Sequence, residues 1–217
     1  MPVPTNHSKP VRKSAKESAY SQLEQWIIDG TLQPGEKLTD IELAQALNLS
    51  RTPIREALQL LEVVGFVKMY PGKATTVTEV NKEDMDHLLP PLAVLQALAG
   101  ELAVPNITEE QIRRLEETNQ RFIKAVEEKD SFNALKIDEE FHRIIIEAAG
   151  NPYITTMLSR LQSHVRRQFF HHSLELSEAS SNEHEEIIQA FKDKDIERLA
   201  LLTKNNWIRS IEEMKAN

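Results

Sequence analysis

Asp138 and His142 stand four residues apart in KIDEEFHRIIIEAAGN, and His184 follows in SSNEHEEIIQAF. On a helix, that spacing puts a carboxylate and an imidazole on one face, a turn apart. Such a pair can share one divalent ion, and a second imidazole brings the set to three. Three ligands with an open fourth position also describe a hydrolytic metal site, with Glu183 or Glu139 as its base. The plainer reading is a group of polar residues that hydrogen-bond one another, since i,i+4 polar pairs are common. A second constellation lies upstream, in NLSRTPIREALQLLEVVGF, residues 48–66. There Arg51 and Arg55 share a helix face in its first turns, with Thr52 and Pro53 beside them. Two guanidinium groups so placed suit phosphates and base edges. A solvated charged face would need nothing more of them.

The elements around the arginines decide in favour of DNA. SAYSQLEQWIIDG has helical apolar spacing at Leu23, Trp26 and Ile27, with Gly30 as the stop. LQPGEKL reads as a turn around Pro34-Gly35. TDIELAQALN opens with Thr39 and Glu42, a capping box, and buries Leu43, Ala44 and Leu47. Ser50 should cap the next helix by accepting from its free amides. Pro53 is tolerated there because first-turn N–H groups have no partner inside the helix. Ile54, Ala57, Leu58 and Leu61 face inward, and Gly65 ends the helix. FVKMYPGKATTVTEV is two β-rich runs around Pro71-Gly72, a hairpin. Three helices and a hairpin in this order make a winged helix-turn-helix, whose third helix enters the major groove by its N-terminal end. The expected DNA-facing set is Arg51, Thr52 and Arg55, with Thr39 and Ser50 at the helix starts and Lys73 at the wing tip. Gly72 lets the wing approach closely.

The second half reads as an all-α antiparallel bundle. NKEDMDHLLPPLAVLQALAGELAV is one apolar helix, bent or restarted at Pro90-Pro91. Thr108 and Gln111 form a capping box before the next helix. The helix of Asp138 and His142 stops at Gly150, and Asn151-Pro152 starts another. After the polar link SLELSEASS come helices at about 182–193 and 196–215. Connections this short favour antiparallel neighbours. The expected organisation is a basic arm over 1–14, the winged helix over 15–78 and the bundle over 81–215. Net charge is −8 for the whole chain but +1 over residues 1–78, which leaves −9 for the rest. An acidic half is a poor DNA surface, so contact with DNA belongs to the first. There are no cysteines, in keeping with a reducing cytoplasm. The N-terminus lacks the apolar stretch of a secretory signal, and no run is long enough to span a membrane.

DGTLQPGEKLTDIELAQALNLSRTPIREALQLLEVVGFV resembles the DNA-binding domain of GntR-type bacterial transcription regulators, and LSRTPIREAL is the most specific part. The resemblance implies that Arg51, Thr52 and Arg55 contact operator DNA and that Gly72 sits at the wing. Ile41 stands where the family often has an arginine, so one expected contact is missing. Residues 81–214 resemble the FCD ligand-sensing domain of the FadR-type branch. Metal-binding members have ligands matching Asp138, His142 and His184, and a fourth histidine where this chain has Asn206. An amide oxygen is a weaker ligand than imidazole for a borderline-soft ion. The resemblance also implies a small-molecule effector of the organic-acid kind, although Leu92 stands where an arginine is frequent and Gln96 where glutamate is usual.

The sequence therefore leads to a homodimeric regulator that binds double-stranded operator DNA. A small molecule in the bundle, with a bound zinc, nickel or manganese ion, would shift its populations. A metal-dependent hydrolase and an effector-independent architectural protein are the alternatives.

Overall fold

Ser14 starts the first helix by a reciprocal cap: its hydroxyl accepts from the Glu17 N–H at 3.1 Å, and the Glu17 carboxylate accepts from the Ser14 N–H at 2.8 Å. The computed structural model describes residues 14–70, 72, 74–172 and 178–216. Of the arm expected over 1–14, only Ser14 is among them, and it belongs to that cap. The chain divides into two compact units between Glu79 and Val80.

In the first unit, α1 (Ala15–Ile28) buries Ala19, Leu23 and Ile27 at four-residue spacing. They pack with Ile54, Leu58 and Leu61 of α3 (Arg51–Val63) and with Leu43 of α2 (Asp40–Ala46). Fully burying such a side chain is worth about 1.5–3 kcal/mol. The expected turn at PGEKL contains more than a turn. Lys37–Leu38 forms a strand, β1, whose Leu38 is buried. It pairs antiparallel with β3 (Thr75–Val77), placing Leu38 opposite Thr75, while β2 (Val67–Lys68) pairs with the other edge of β3. The hairpin is thus part of a three-stranded sheet, ordered β1-β3-β2.

In the second unit, a 3₁₀ turn (Lys82–Asp84) leads into α4 (Met85–Ala103), which runs through Pro90 and Pro91 without restarting. The two prolines have no N–H to donate to the carbonyls four residues back, those of Asp86 and His87. Both residues are exposed near the helix start, so water can serve those carbonyls. Next come α5 (Glu109–Glu127), with the reciprocal Thr108–Gln111 cap, and α6 (Ser131–Ala149), capped by Asp130. Gly150 ends α6 in the left-handed region at φ 64°, where a side chain would be strained. Asn151 then caps α7 (Pro152–His172). Helix α8 spans Glu178–Asp193, starting a turn before the expected 182, and α9 spans Ile196–Ala216.

Side-chain pairs give the helix directions. Glu116–Lys192 and Asn119–Ser181 make α5 and α8 antiparallel, while Asp193–Arg198 and Glu183–Arg209 do the same for α8 and α9. Short connections turn the chain back between α4 and α5 and between α5 and α6. It follows that α4 and α6 both run opposite to α9. Leu89, Leu92, Phe141, Ile144 and Leu199 lie at the centre of this core.

Candidate functional site

The first candidate surface is the start of α3. Arg51, Thr52 and Arg55 are exposed while Ile54, Ala57 and Leu58 hold the helix to its unit. Ser50 has the extended backbone of a cap, but its hydroxyl makes no capping bond, contrary to the sequence expectation. Pro53 explains this. It occupies the third helical position, whose N–H the cap would usually receive, and proline has none. The Ser50 hydroxyl is exposed and uninvolved in the helix. At Thr39 the cap is formed, with the hydroxyl accepting from the Glu42 N–H at 3.3 Å, but Glu42 returns no bond to the backbone. Its carboxylate accepts from the Thr39 hydroxyl instead, at 2.6 Å.

Asp40 is the residue the sequence reading missed. Its carboxylate accepts from Arg51 Nη2 at 3.0 Å and Nε at 3.2 Å, and from Arg55 Nε. The hydrogen bond from Arg51, with that from Arg55, holds the Asp40 carboxyl below its ordinary range. One acidic side chain therefore orients both exposed guanidinium groups. The only sign of it in the sequence was an acidic residue opening the helix before the turn. Gly72 has φ 71°, and a Cβ there would meet nothing within 4 Å, so backbone conformation rather than crowding favours glycine. Lys73 lies outside the described residues.

The second candidate lies inside the helical unit. Asp138 and His142 come from α6 and His184 from α8; all three are buried, with one ligand atom from each lying within 4.8 Å of the others. His184 Nε2 is 3.3 Å from Asp138 Oδ1, and His142 Nε2 is 3.9 Å from Asp138 Oδ2. Asn119 determines which nitrogen of His184 is bare. Its Nδ2 donates to the Ser181 carbonyl at 3.1 Å, so its Oδ1 must be the atom 3.0 Å from His184 Nδ1. Nδ1 is then the donor, and in the neutral ring Nε2 carries a lone pair. That nitrogen lies 3.3 Å from the carboxylate but outside good hydrogen-bond geometry, and neither nitrogen of His142 has a partner of good geometry. Bare nitrogens beside a carboxylate suit a cation among them, and the Asn119 contact is the outer support a ligating histidine usually has.

Aromatic rings enclose the cluster. Phe141 stacks on His184 with centroids 3.9 Å apart, and Trp207 lies 4.8 Å from His142. Burial drives the His142 pKa from 6.5 down to about 4, against the opposing charge of Asp138. The ring is therefore neutral near neutral pH, as a metal ligand must be. Burial pushes the Asp138 carboxyl up, but the two histidines and Arg209 outweigh it and hold its pKa below the ordinary value.

Asn206, from α9, is buried beside the cluster. Its Nδ2 donates to Glu183 Oε2 at 2.7 Å, leaving its carbonyl oxygen for His142. Arg209 in turn donates to both oxygens of Glu183, at 2.7 and 2.9 Å, and to Ser180 Oγ at 2.7 Å. This arrangement removes the bases of the hydrolase alternative: Glu183 is engaged by Arg209 and Asn206, and Glu139 by Arg166 at 2.7 Å. The residues present fit a divalent ion, with two imidazole nitrogens, a carboxylate oxygen and an amide oxygen. The ligand atoms of Asp138, His142 and His184 lie within 4.8 Å of one another, close enough for one ion to reach all three with bonds of about 2.0–2.2 Å.

Comparison with known proteins assigns both units. The model of the bacterial regulatory proteins of the gntR family matches residues 15–77, and that of the FCD domain matches residues 91–207. The HTH-type transcriptional regulator YdhC of Bacillus subtilis is 28% identical over 184 residues, covering 82% of this chain and 81% of its own. The HTH-type transcriptional regulator McbR of Escherichia coli is 32% identical over 132 residues, covering 61% and 60%. The solved structure of E. coli McbR/YncC superposes with a TM-score of 0.80 at 24% identity, over 94% of this chain and 99% of that one, and shows the shared fold. These families and relatives are regulators of transcription, not enzymes.

Proposed function

The chain belongs to the GntR family of bacterial transcription regulators with an FCD domain, and from that premise we propose that operator binding by its first unit is controlled by a small molecule and a divalent metal held in its second. Arg51, Thr52 and Arg55 read the operator, with Thr39, Ser50, Gly72 and Lys73 at the backbone. Asp138, His142, His184 and Asn206 hold the ion, which would bind an effector oxygen and tie α6, α8 and α9 together. The observation that carries the metal reading is Nε2 of buried His184, its other nitrogen fixed by Asn119, set 3.3 Å from Asp138 outside good hydrogen-bond geometry. Zinc, nickel and manganese all suit the mixed donor set.

The regulator acts as a homodimer. Val94, Leu98 and Leu102 form an exposed apolar stripe on α4, a face suited to a second copy. It works beside DNA in the cytoplasm; among the described residues, no helix is long and apolar enough to cross a membrane. An effector with different affinity for DNA-competent and incompetent dimers would move their equilibrium.

The test selects an operator from random duplexes, then titrates wild type, Arg51→Ala and Arg55→Ala against operator and scrambled DNA at several salt concentrations. An arginine that reads a base should cost about 1–3 kcal/mol on the operator alone. Unchanged operator affinity in both variants would remove α3 from the groove. Calorimetric titration of dialysed protein with each metal tests the second unit, and no uptake at micromolar concentration would leave the cluster as polar pocket residues.

A further inference from the structure

Three buried polar side chains between α4 and α9 have no hydrogen-bond partner in the protein: both amide atoms of Gln96, the hydroxyl of Thr203 and the indole nitrogen of Trp207. Gln96 and Thr203 are 0% exposed and Trp207 is 7% exposed. Native interiors leave few such groups, because each has given up water and gained nothing.

These groups fall in one place. A Cβ at Gly100 would lie 3.6 Å from Thr203 Oγ1, so α4 and α9 meet there closely. The two helices run in opposite directions. One turn back from Gly100 on α4 is Gln96, and one turn forward from Thr203 on α9 is Trp207, so these two face each other at the next level. Trp207 rests against the ring of His142, so the group adjoins the Asp138 cluster. Leu92, a further turn along α4, is apolar and buried. Among the described side chains of α9, the charged ones point elsewhere: Arg209 is held by Glu183, and Glu197, Arg198 and Lys204 are exposed.

We infer that Gln96, Thr203 and Trp207 form the effector subsite and that it takes an uncharged group carrying a hydrogen-bond donor beside an acceptor, a carboxamide or a pair of hydroxyls. This rests on the sensor reading above and adds the ligand's chemistry. Gln96 presents an acceptor as well as donors, Thr203 serves either way, and Trp207 only donates. A carboxylate has acceptors alone, so it could take hydrogen bonds from Trp207, Thr203 and the Gln96 amide N–H but would leave Gln96 Oε1 without a donor. A carboxamide or a diol satisfies all three.

The experiment uses the full chain, dialysed to remove small molecules. Gln96→Leu and Thr203→Val should each raise the melting temperature, by about 2–4 °C for each unpaired group relieved. A fall for Thr203→Val, whose volume hardly changes, would show a structural hydrogen bond and overturn the inference. Millimolar small carboxamides, polyols and the matching carboxylates are then tested by the same melt. Carboxamides or polyols should raise the melting temperature of wild type and not of Gln96→Leu, and whichever arm responds names the source. Shifts by carboxylates alone, equal in wild type and Gln96→Leu, would overturn the neutral subsite and leave the sensor reading standing. No shift with any compound would remove both.

Discussion

In the metal-free protein, His142 should withdraw about 3 kcal/mol of its own contribution to stability as the pH drops from 6.5 to about 4. The ring is fully buried, and burial moves its pKa down between those two values while Asp138 opposes only in part. The unfolded chain takes up this proton near 6.5 and the folded chain only near 4. Between them the unfolded state binds more protons, so acidification favours unfolding. The contribution is whole above 6.5 and gone below about 4. Each unit corresponds to about 1.36 kcal/mol, which over this window gives about 3 kcal/mol. Asp138, with its pKa held below 3.8, acts only at lower pH, while burial raises the Glu139 carboxyl above its ordinary value, which opposes His142 within the window and makes the difference between two proteins the quantity to measure. The assay is urea unfolding after chelation, followed by Trp207 fluorescence in a Trp26→Phe background, for the parent and for His142→Gln. The stability difference between the two should change by about 3 kcal/mol across the window. Parallel curves would mean that His142 does not titrate as its burial requires.

Asp40→Asn should raise affinity for scrambled DNA more than for operator, because it frees two guanidinium groups and removes a negative charge beside the phosphates; filter binding on both duplexes measures this, and an unchanged ratio would show that Asp40 does not restrain the arginines. Ser50→Ala should leave thermal stability unchanged, whereas removal of a working cap costs about 1 kcal/mol; a loss of that size would mean that the hydroxyl does cap α3. Asn206→His should tighten metal binding in calorimetry and Arg209→Met should weaken it by releasing Glu183 and hence the amide; equal affinity in all three proteins would exclude Asn206 from the ligand set.

What was legible in the sequence was local. The Thr108–Gln111 cap, the Gly150 stop and the four-residue apolar spacing of α1 and α3 involve residues within one or two turns of each other. The juxtaposition of Asp138 with His142 was legible for the same reason. Ser50 misled because a good capping residue was read without asking what its partner could donate; Pro53 is in the sequence, but only the exact start of the helix turns it into a missing N–H. Strand β1 is two residues long and exists through pairing with Thr75 and Thr76, which no local pattern carries. Nothing local marks Asn119, because its role depends on Ser181 and His184, more than sixty residues away. Glu183 looked like a free base until Arg209 was brought beside it.

The pairing of β1 with β3 has a mechanical consequence. Residues 37–38 lead directly into Thr39 and α2, and they are laced to the strand that returns from the wing tip. Asp40, the next residue, is in turn clasped by both arginines of α3. Wing, second helix and third helix are thereby braced at neighbouring points, and little freedom remains for the wing to hinge alone. A signal reaching this unit would find a rigid tool. It could reposition the unit as a whole but would have little means of blunting its reading face, so control of the operator would be exerted through where each such unit is carried.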